Sequence, residues 1–407
     1  MKILIVTVTY PPEIRAISLM MQELADELSI RGHDVSVVTS WPSMNLSPGT
    51  NTGQLKKIMR EGKVSVIRVR PLPGYSFHYV IRGISQLIMP HLYLKAIKRY
   101  IREKIDFVVV YSPPLPLTIV GRHLKQQNNT RFLLNIQDIF PQNAIDLGIL
   151  RNKILTRFFE QMEEKAYMAA DYMTGHTLSS TRFLIEHKDV PEGKISTIPN
   201  WIDVEVYARA KPIGSYRKEY GLEGKFVFIF PGVIGPSQEV DFIFDIAKQL
   251  IDLPNVRFLF VGEGSEKKRL MERAQKESIA NVLFRPYVPL EEYPALVKEM
   301  DVGLICLSMQ NKTPVIPGKL LGFMAASLPV VAFVQKESDI HSLINEAKSG
   351  YSAFSDDTSR AAELIRTMVN NREALTRMGV NGYNYVKQYF SKTACINKIE
   401  KLLQKEI

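Results

Sequence analysis

The stretch Phe226-Val-Phe-Ile-Phe230-Pro231-Gly232-Val-Ile-Gly235-Pro-Ser-Gln238 decides the fold. Five successive apolar residues, with no polar alternation, describe a strand buried on both faces, and the Pro231-Gly232 turn ends it. The same grammar opens the chain at Ile3–Val8 and recurs at Val35–Thr39, Val64–Val69, Phe107–Tyr111 and Phe132–Ile136. Between most of these runs lie segments of helical periodicity, such as Ser18–Ile30 and Ile154–Ala170. From Phe226 the pattern restarts, through Val256–Val261, Val282–Phe284, Val302–Cys306 and Val330–Phe333. Doubly apolar runs alternating with helices predict parallel sheets covered on both sides, and the restart predicts two doubly wound α/β domains rather than one large sheet. Segment Ile198–Tyr216, carrying Pro199, Pro212 and Gly214, is the natural divide. It gives domains at 1–208 and 209–391, with an amphipathic C-terminal helix in 392–407 able to pack back on the first.

A chain of 407 residues, 45% apolar and 23% charged, fits two globular domains and excludes a largely disordered protein. Cys306 and Cys395 offer no disulfide framework, so a reducing cytosol is expected. Tyr10-Pro11-Pro12-Glu13 follows the first apolar run where a signal peptide would need small residues. The apolar stretch Ile84–Leu94 is broken by Pro90 and His91 and falls short of the roughly 20 residues of a membrane span. The seven histidines form no HxH or HxxxH pair, and no CxxC or DxD occurs, so no metal site is expected.

The net charge of +10 admits nucleic acid, an anionic membrane or anionic small molecules as partners. Its distribution narrows the choice. Positions 1–200 hold 25 Lys/Arg against 17 Asp/Glu, whereas 201–407 hold 27 against 25. Within 82–104 stand Arg82, Lys95, Lys98, Arg99, Arg102 and Lys104 against Glu103 alone, among apolar residues and with Phe77, Tyr79, Tyr93 and Tyr100 nearby. That composition reads either as a helix lying on an anionic bilayer or as an ordinary solvated surface helix. No zinc-finger, RNP or KH signature accompanies it, so nucleic acid is set aside.

Ligands of doubly wound sheets bind beyond the carboxyl ends of strands, so the loops after strands carry the candidate chemistry. Val261-Gly262-Glu263-Gly264 and the Gly232–Gln238 loop each allow backbone N–H groups to approach a phosphate, although tight strand-to-helix turns need glycine anyway. Lys319, in Pro317-Gly318-Lys319, stands at a helix start, where the dipole disfavours a cation unless an anion is bound; a solvated lysine is the plain alternative. In Gln137-Asp138-Ile139-Phe140-Pro141, Asp138 is either an acid/base or hydroxyl-binding group or a turn-capping residue. Neither a P-loop nor a hydrolase nucleophile motif is present.

Together these loops resemble glycosyltransferase family 4, a group of GT-B-fold enzymes. The likeness is to the branch of bacterial O-antigen, capsule and exopolysaccharide assembly that includes N-acetylfucosaminyltransferase-like proteins. Its marks are Tyr10-Pro11-Pro12-Glu13, Thr39-Ser40-Trp41-Pro42, Gln137–Pro141, Ile198-Pro199-Asn200-Trp201-Ile202-Asp203, Val261–Gly264, Pro317–Leu320 and Met324–Val331. The resemblance implies two Rossmann-like domains facing a cleft, with acceptor on the first and nucleotide-sugar donor on the second. It implies retaining, metal-independent transfer, without a cofactor, of an N-acetylated or deoxy amino sugar. UDP rather than GDP is the expected carrier, a lipid-linked saccharide the acceptor, and the cytoplasmic face of the cell membrane the location.

By the same resemblance, Gly232, Gly235, Gln238, Gly262, Glu263 and Gly264 face the donor diphosphate. Arg285, Tyr287 and Val288 line the base, and Pro317, Gly318 and Lys319 lie near the phosphates and sugar. Lys319 and Arg285 balance the diphosphate, Asp138 with Gln137 handles the acceptor hydroxyl, and Glu13 and Arg15 join Asp138 in acceptor binding. The departures are specific. Ile14-Arg15-Ala16 replaces the usual glycine-rich loop, Gln137 the usual histidine, and the paired glutamates fall at Pro314 and Gly322, the second being the usual ribose ligand. A nucleotide-sugar epimerase of the same fold, or a degenerate subunit supporting a partner enzyme, are the rival readings.

Overall fold

In the first half of the chain β1 (Lys2–Val6), β2 (Asp34–Ser40), β3 (Ile58–Glu61), β4 (Val64–Val69), β5 (Phe107–Ser112), β6 (Arg131–Ile136), β7 (Tyr172–Gly175) and β8 (Ile195–Thr197) form one sheet. Their order is β3-β4-β2-β1-β5-β6-β7-β8, parallel throughout except for the β3–β4 pair. The second half forms another, wholly parallel sheet from β9 (Phe226–Pro231), β10 (Val256–Val261), β11 (Val282–Arg285), β12 (Val302–Cys306), β13 (Val330–Val334) and β14 (Gly350–Phe354), in the order β11-β10-β9-β12-β13-β14. This computed structural model describes residues 1–47, 49–73, 79–146, 148–310 and 316–405, with Tyr79 and Val80 as backbone only. Pro314 and Phe77 lie outside the described residues. Two doubly wound α/β domains are what the doubly apolar runs predict, and the structure has them.

Every residue of β9 is buried, and its aromatic rings stack across to β10, with Phe228 and Phe258 at 5.5 Å and Phe230 and Phe260 at 5.4 Å between centroids. Strand order fixes where ligands can sit. In each sheet the chain builds outward on one side of a central strand and then crosses to the other, so that β2 and β5 flank β1, and β10 and β12 flank β9. The loops leaving these strands diverge at that switch point, which opens a crevice at the carboxyl end of the sheet.

One compact unit comprises residues 1–200 with 395–407, and the other 201–394. The boundary expected at 208/209 therefore falls at 200/201. Val204 and Tyr207, on the helix Val204–Arg209, belong to the second unit's core, which draws that helix across. The chain's last residues return to the first unit, where Arg31 and His33 meet Glu400 and Arg131 donates to the Lys405 carbonyl.

Helix Tyr79–Tyr100 departs from its bilayer-surface reading in one respect. Tyr93, expected among interfacial aromatics, is fully buried and donates to the Thr7 carbonyl at 3.1 Å. Lys95, Lys98, Arg99, Arg102 and Lys104 are exposed. Among the described residues no helix is long and apolar enough to cross a membrane.

Candidate functional site

In the second unit the two glycine loops run side by side. Past β9, the Gly232 amide donates to Val261 O at 2.8 Å, and the Ile234 amide to Glu263 O at 2.9 Å. The loop after β10 is thus paired with the loop after β9, as an extension of their ladder. That pairing explains two glycines. A Cβ on Gly262 would lie 2.0 Å from Gly232 O, and one on Gly264 2.0 Å from Ile234 O. Backbone packing alone requires glycine at both positions.

Beyond Gly235, the turn Pro236–Gln238 leads into helix Val240–Gln249 and sets Gln238 facing the helix Gly318–Ala325, which follows β12. There Lys319 Nζ donates to Gln238 Oε1 at 2.8 Å and lies 3.7 Å from the centre of the Phe230 ring. Burial pulls the amine down to about 7, with neighbouring Cys306 acting in the opposite sense. Among the described residues Lys319 makes no ion pair, and its helix begins without a side-chain cap or an acidic first turn. A desolvated amine at the positive end of a helix, with one neutral partner, is a site for an anion.

Other expected donor residues are placed differently. Glu263 is exposed and pairs with Lys267 at 2.7 Å, and Lys267 also donates to Gly262 O at 2.9 Å. This cation at the loop was passed over in the sequence, where only the Glu263–Lys267 helical spacing hints at it. Arg285 donates to Phe284 O and Tyr220 O and covers the Tyr220 ring at 5.0 Å, so its guanidinium holds the end of helix Ser215–Tyr220 and no contact joins it to Lys319 among the described residues. Val288 is buried in the unit's core, leaving only its backbone to face a ligand, whereas the Tyr287 side chain is exposed. Pro317 caps the Lys319 helix, and Gly318 is exposed beside it. At Gly322 a Cβ would lie 2.9 Å from the Tyr207 hydroxyl and 3.6 Å from that of Tyr293. Two phenols fill the space that a glutamate would need.

In the first unit a cavity of about 410 Å³ opens at the switch point between β1 and β5. The loop after β1 supplies Thr9, Glu13 and Arg15, the loop after β2 Trp41, the loop after β5 Pro113–Pro116, and the helix Lys153–Ala169 Phe159. Glu13 is buried and its Oε1 accepts from the Ser43 and Met44 amides at 2.8 and 3.0 Å, which clamps two loops together. Arg15 precedes helix Ala16–Ile30, whose first turn has no acid, and its buried Nε has no partner among the described residues. An anionic group in the cavity would supply one.

Gln137 and Asp138 do not line this cavity. Gln137 Nε2 donates to Asn135 Oδ1 at 2.8 Å, and Asp138 is exposed at the end of β6. Asp138 does act electrostatically on Tyr111, whose phenol is pushed upward first by burial and then by that carboxylate. Trp41 and Phe159, the aromatic walls, lie on loops and helices too distant in sequence for spacing to associate them.

Residues 213–385 match the family described as Glycosyl transferases group 1, and residues 16–201 the Glycosyl transferase 4-like domain. The putative colanic acid biosynthesis glycosyl transferase WcaI of Escherichia coli K12 is 26% identical over 339 residues, covering 80% of this chain and 81% of that protein. The probable glycosyltransferase WbjE of Pseudomonas aeruginosa is 24% identical, covering 70% and 71%. Among solved structures, HepE of Anabaena in complex with UDP superposes with a TM-score of 0.71 at 15% identity, over 99% of this chain and all of that one.

Proposed function

The chain belongs to glycosyltransferase family 4, and from that premise we propose that it moves a sugar from a UDP-linked donor to a lipid-linked saccharide in bacterial surface polysaccharide biosynthesis. The sugar is an N-acetylated or deoxy amino sugar, transferred with retention and without a metal ion at the cytoplasmic face of the membrane. The observation that carries this reading is Lys319, a desolvated amine with no counter-ion among the described residues, at the switch point of the second sheet. The protonated amine neutralises charge on the diphosphate as the bond from the anomeric carbon to the phosphate oxygen breaks. The acceptor oxygen bonds the same face of that carbon, and its proton passes to the departing phosphate oxygen. Exposed Asp138 orients the acceptor hydroxyl, and Arg15 meets acidic groups of the acceptor. Tyr287 offers an exposed ring for the base.

Calorimetry against UDP and GDP, followed by a mass-spectrometric donor screen with a polyprenyl-diphosphate-sugar acceptor, tests the proposal. UDP is expected to bind, and one donor to extend the acceptor by a single sugar. Binding of neither nucleotide would sink the enzymatic reading and favour the supporting subunit, whose motive is Gly322. Conversion of a UDP-sugar without acceptor would favour the epimerase.

Gly322 offers its own test. Restoring the family residue by Gly322→Glu should lower the melting temperature without improving UDP affinity, because the Tyr207 hydroxyl obstructs the new side chain. Combining it with Tyr207→Phe should recover part of the lost stability. Tighter UDP binding by the single variant, at unchanged melting temperature, would contradict the crowding argument.

A further inference from the structure

Four large apolar side chains stand in solvent around the start of helix Lys153–Ala169: Ile149 is 75% exposed, Ile154 81%, Leu155 49% and Phe158 45%. Two features fix them there. Asn152 Oδ1 accepts from the Ile154 and Leu155 amides at 2.9 and 3.1 Å, which caps the helix and sets both residues in its first turn. Phe158 then follows Ile154 by four positions and Leu155 by three, so the three share one face. Arg151, Lys153 and Arg157 are exposed among them, with the exposed acids Asp146 and Glu160 at the two ends of the stretch and Glu164 a turn beyond.

The patch is continuous with the cavity of this unit. The Phe158 ring meets Phe159 edge-on at 5.2 Å, and Phe159, a wall of the cavity, meets Phe140 at 5.0 Å. A line of aromatic carbon therefore leads from solvent into the pocket assigned to the acceptor. Apolar tips with Arg151, Lys153 and Arg157 standing among them complement an anionic bilayer, whose headgroups meet the cations while the tips enter the acyl boundary.

We propose that Ile149, Ile154, Leu155 and Phe158 form the edge by which the first unit dips into an anionic lipid bilayer, opening its cavity to a substrate carried in that bilayer. The proposal rests on the lipid-linked acceptor suggested above, and it places membrane contact on residues other than Lys95, Lys98 and Arg99.

Flotation of the full chain with phosphatidylglycerol-containing vesicles, and with phosphatidylcholine vesicles, provides the test. Ile154→Glu/Leu155→Glu should weaken binding to the anionic vesicles about tenfold or more. It should also abolish transfer to a long-chain acceptor embedded in vesicles, while UDP affinity and transfer to a short-chain acceptor in detergent persist. Should the glutamates disturb folding, Ile154→Trp serves instead, its emission shifting to the blue on anionic vesicles. Undiminished vesicle binding by the double variant, or an unshifted emission, overturns the proposal. So does loss of binding on charge reversal of Lys95, Lys98 and Arg99 but not on change at the patch, or a patch change that only dissociates a dimer. Vesicle binding lost in the double variant, with no transfer by the wild type to either acceptor, would uphold the patch and refute the function.

Discussion

Replacing Lys319 with methionine should weaken UDP binding roughly 10- to 150-fold, the range set by one charge-assisted contact, without lowering the melting temperature. The second half of that expectation is the sharper one. Lys319 packs against Phe230, among the described residues only Gln238 accepts from it, and desolvation holds its amine near 7. A methionine of similar length keeps the packing and removes a group whose charged form is unfavourable there. Binding and stability should therefore separate. The pH profile adds a signature that a merely structural lysine would not give. The diphosphate binds the ammonium form, and above about 7 the free protein increasingly holds the neutral amine. Each further pH unit should then cost about a factor of ten in affinity, with a proton taken up on binding. Below about 7 the profile should flatten. Calorimetry in buffers of differing ionisation enthalpy reads both effects. An unchanged UDP affinity in Lys319→Met, or the same pH slope in that variant as in the wild type, would remove Lys319 from the donor site.

The two sheets were legible because β1, β2, β5, β6, β9, β10, β12 and β13 are apolar on both faces, a pattern helices of that length do not produce. The strands that escaped notice have a physical excuse. Of β3, residues Ile58–Arg60 are exposed at a sheet edge, β7 and β8 have only four and three residues, and β14 is an edge strand without a fully buried position. At the candidate site, helix electrostatics makes the position of Lys319 conspicuous in sequence, because a cation there faces the positive end of the dipole. The contacts of Arg285 and the burial of Val288 are not legible in sequence, because neither the carbonyls of helix Ser215–Tyr220 nor the depth of the core has a local sequence signal. Gly322 is the instructive case. As sequence it was a missing glutamate; in space it is where Tyr207 and Tyr293 converge from two other helices, a replacement rather than a vacancy.

The glycine loops give the other large expected effect. Gly264→Ala should lower the stability of the second unit by about 1–3 kcal/mol and weaken UDP binding at the same time. Its Cβ would meet Ile234 O at 2.0 Å, a backbone atom that no rotamer change can move aside. Relief requires displacing the Gly232–Gln238 loop, and with it the Gln238 carbonyl that positions Lys319. Gly235→Ala is the matched control. Gly235 has φ −135°, which any residue adopts, and its Cβ would touch only Val233 Cγ1, at 3.6 Å. Stability should be unaffected there, leaving affinity as the discriminating readout. If a phosphate lies against this loop, the added methyl group will intrude on it, and UDP affinity will fall while the melting temperature holds. Should Gly235→Ala change neither quantity, the glycines of both loops serve backbone packing alone, and the donor diphosphate must be held by Lys319 and the start of its helix. Full stability in Gly264→Ala would instead refute the paired-loop geometry from which the whole donor site is built.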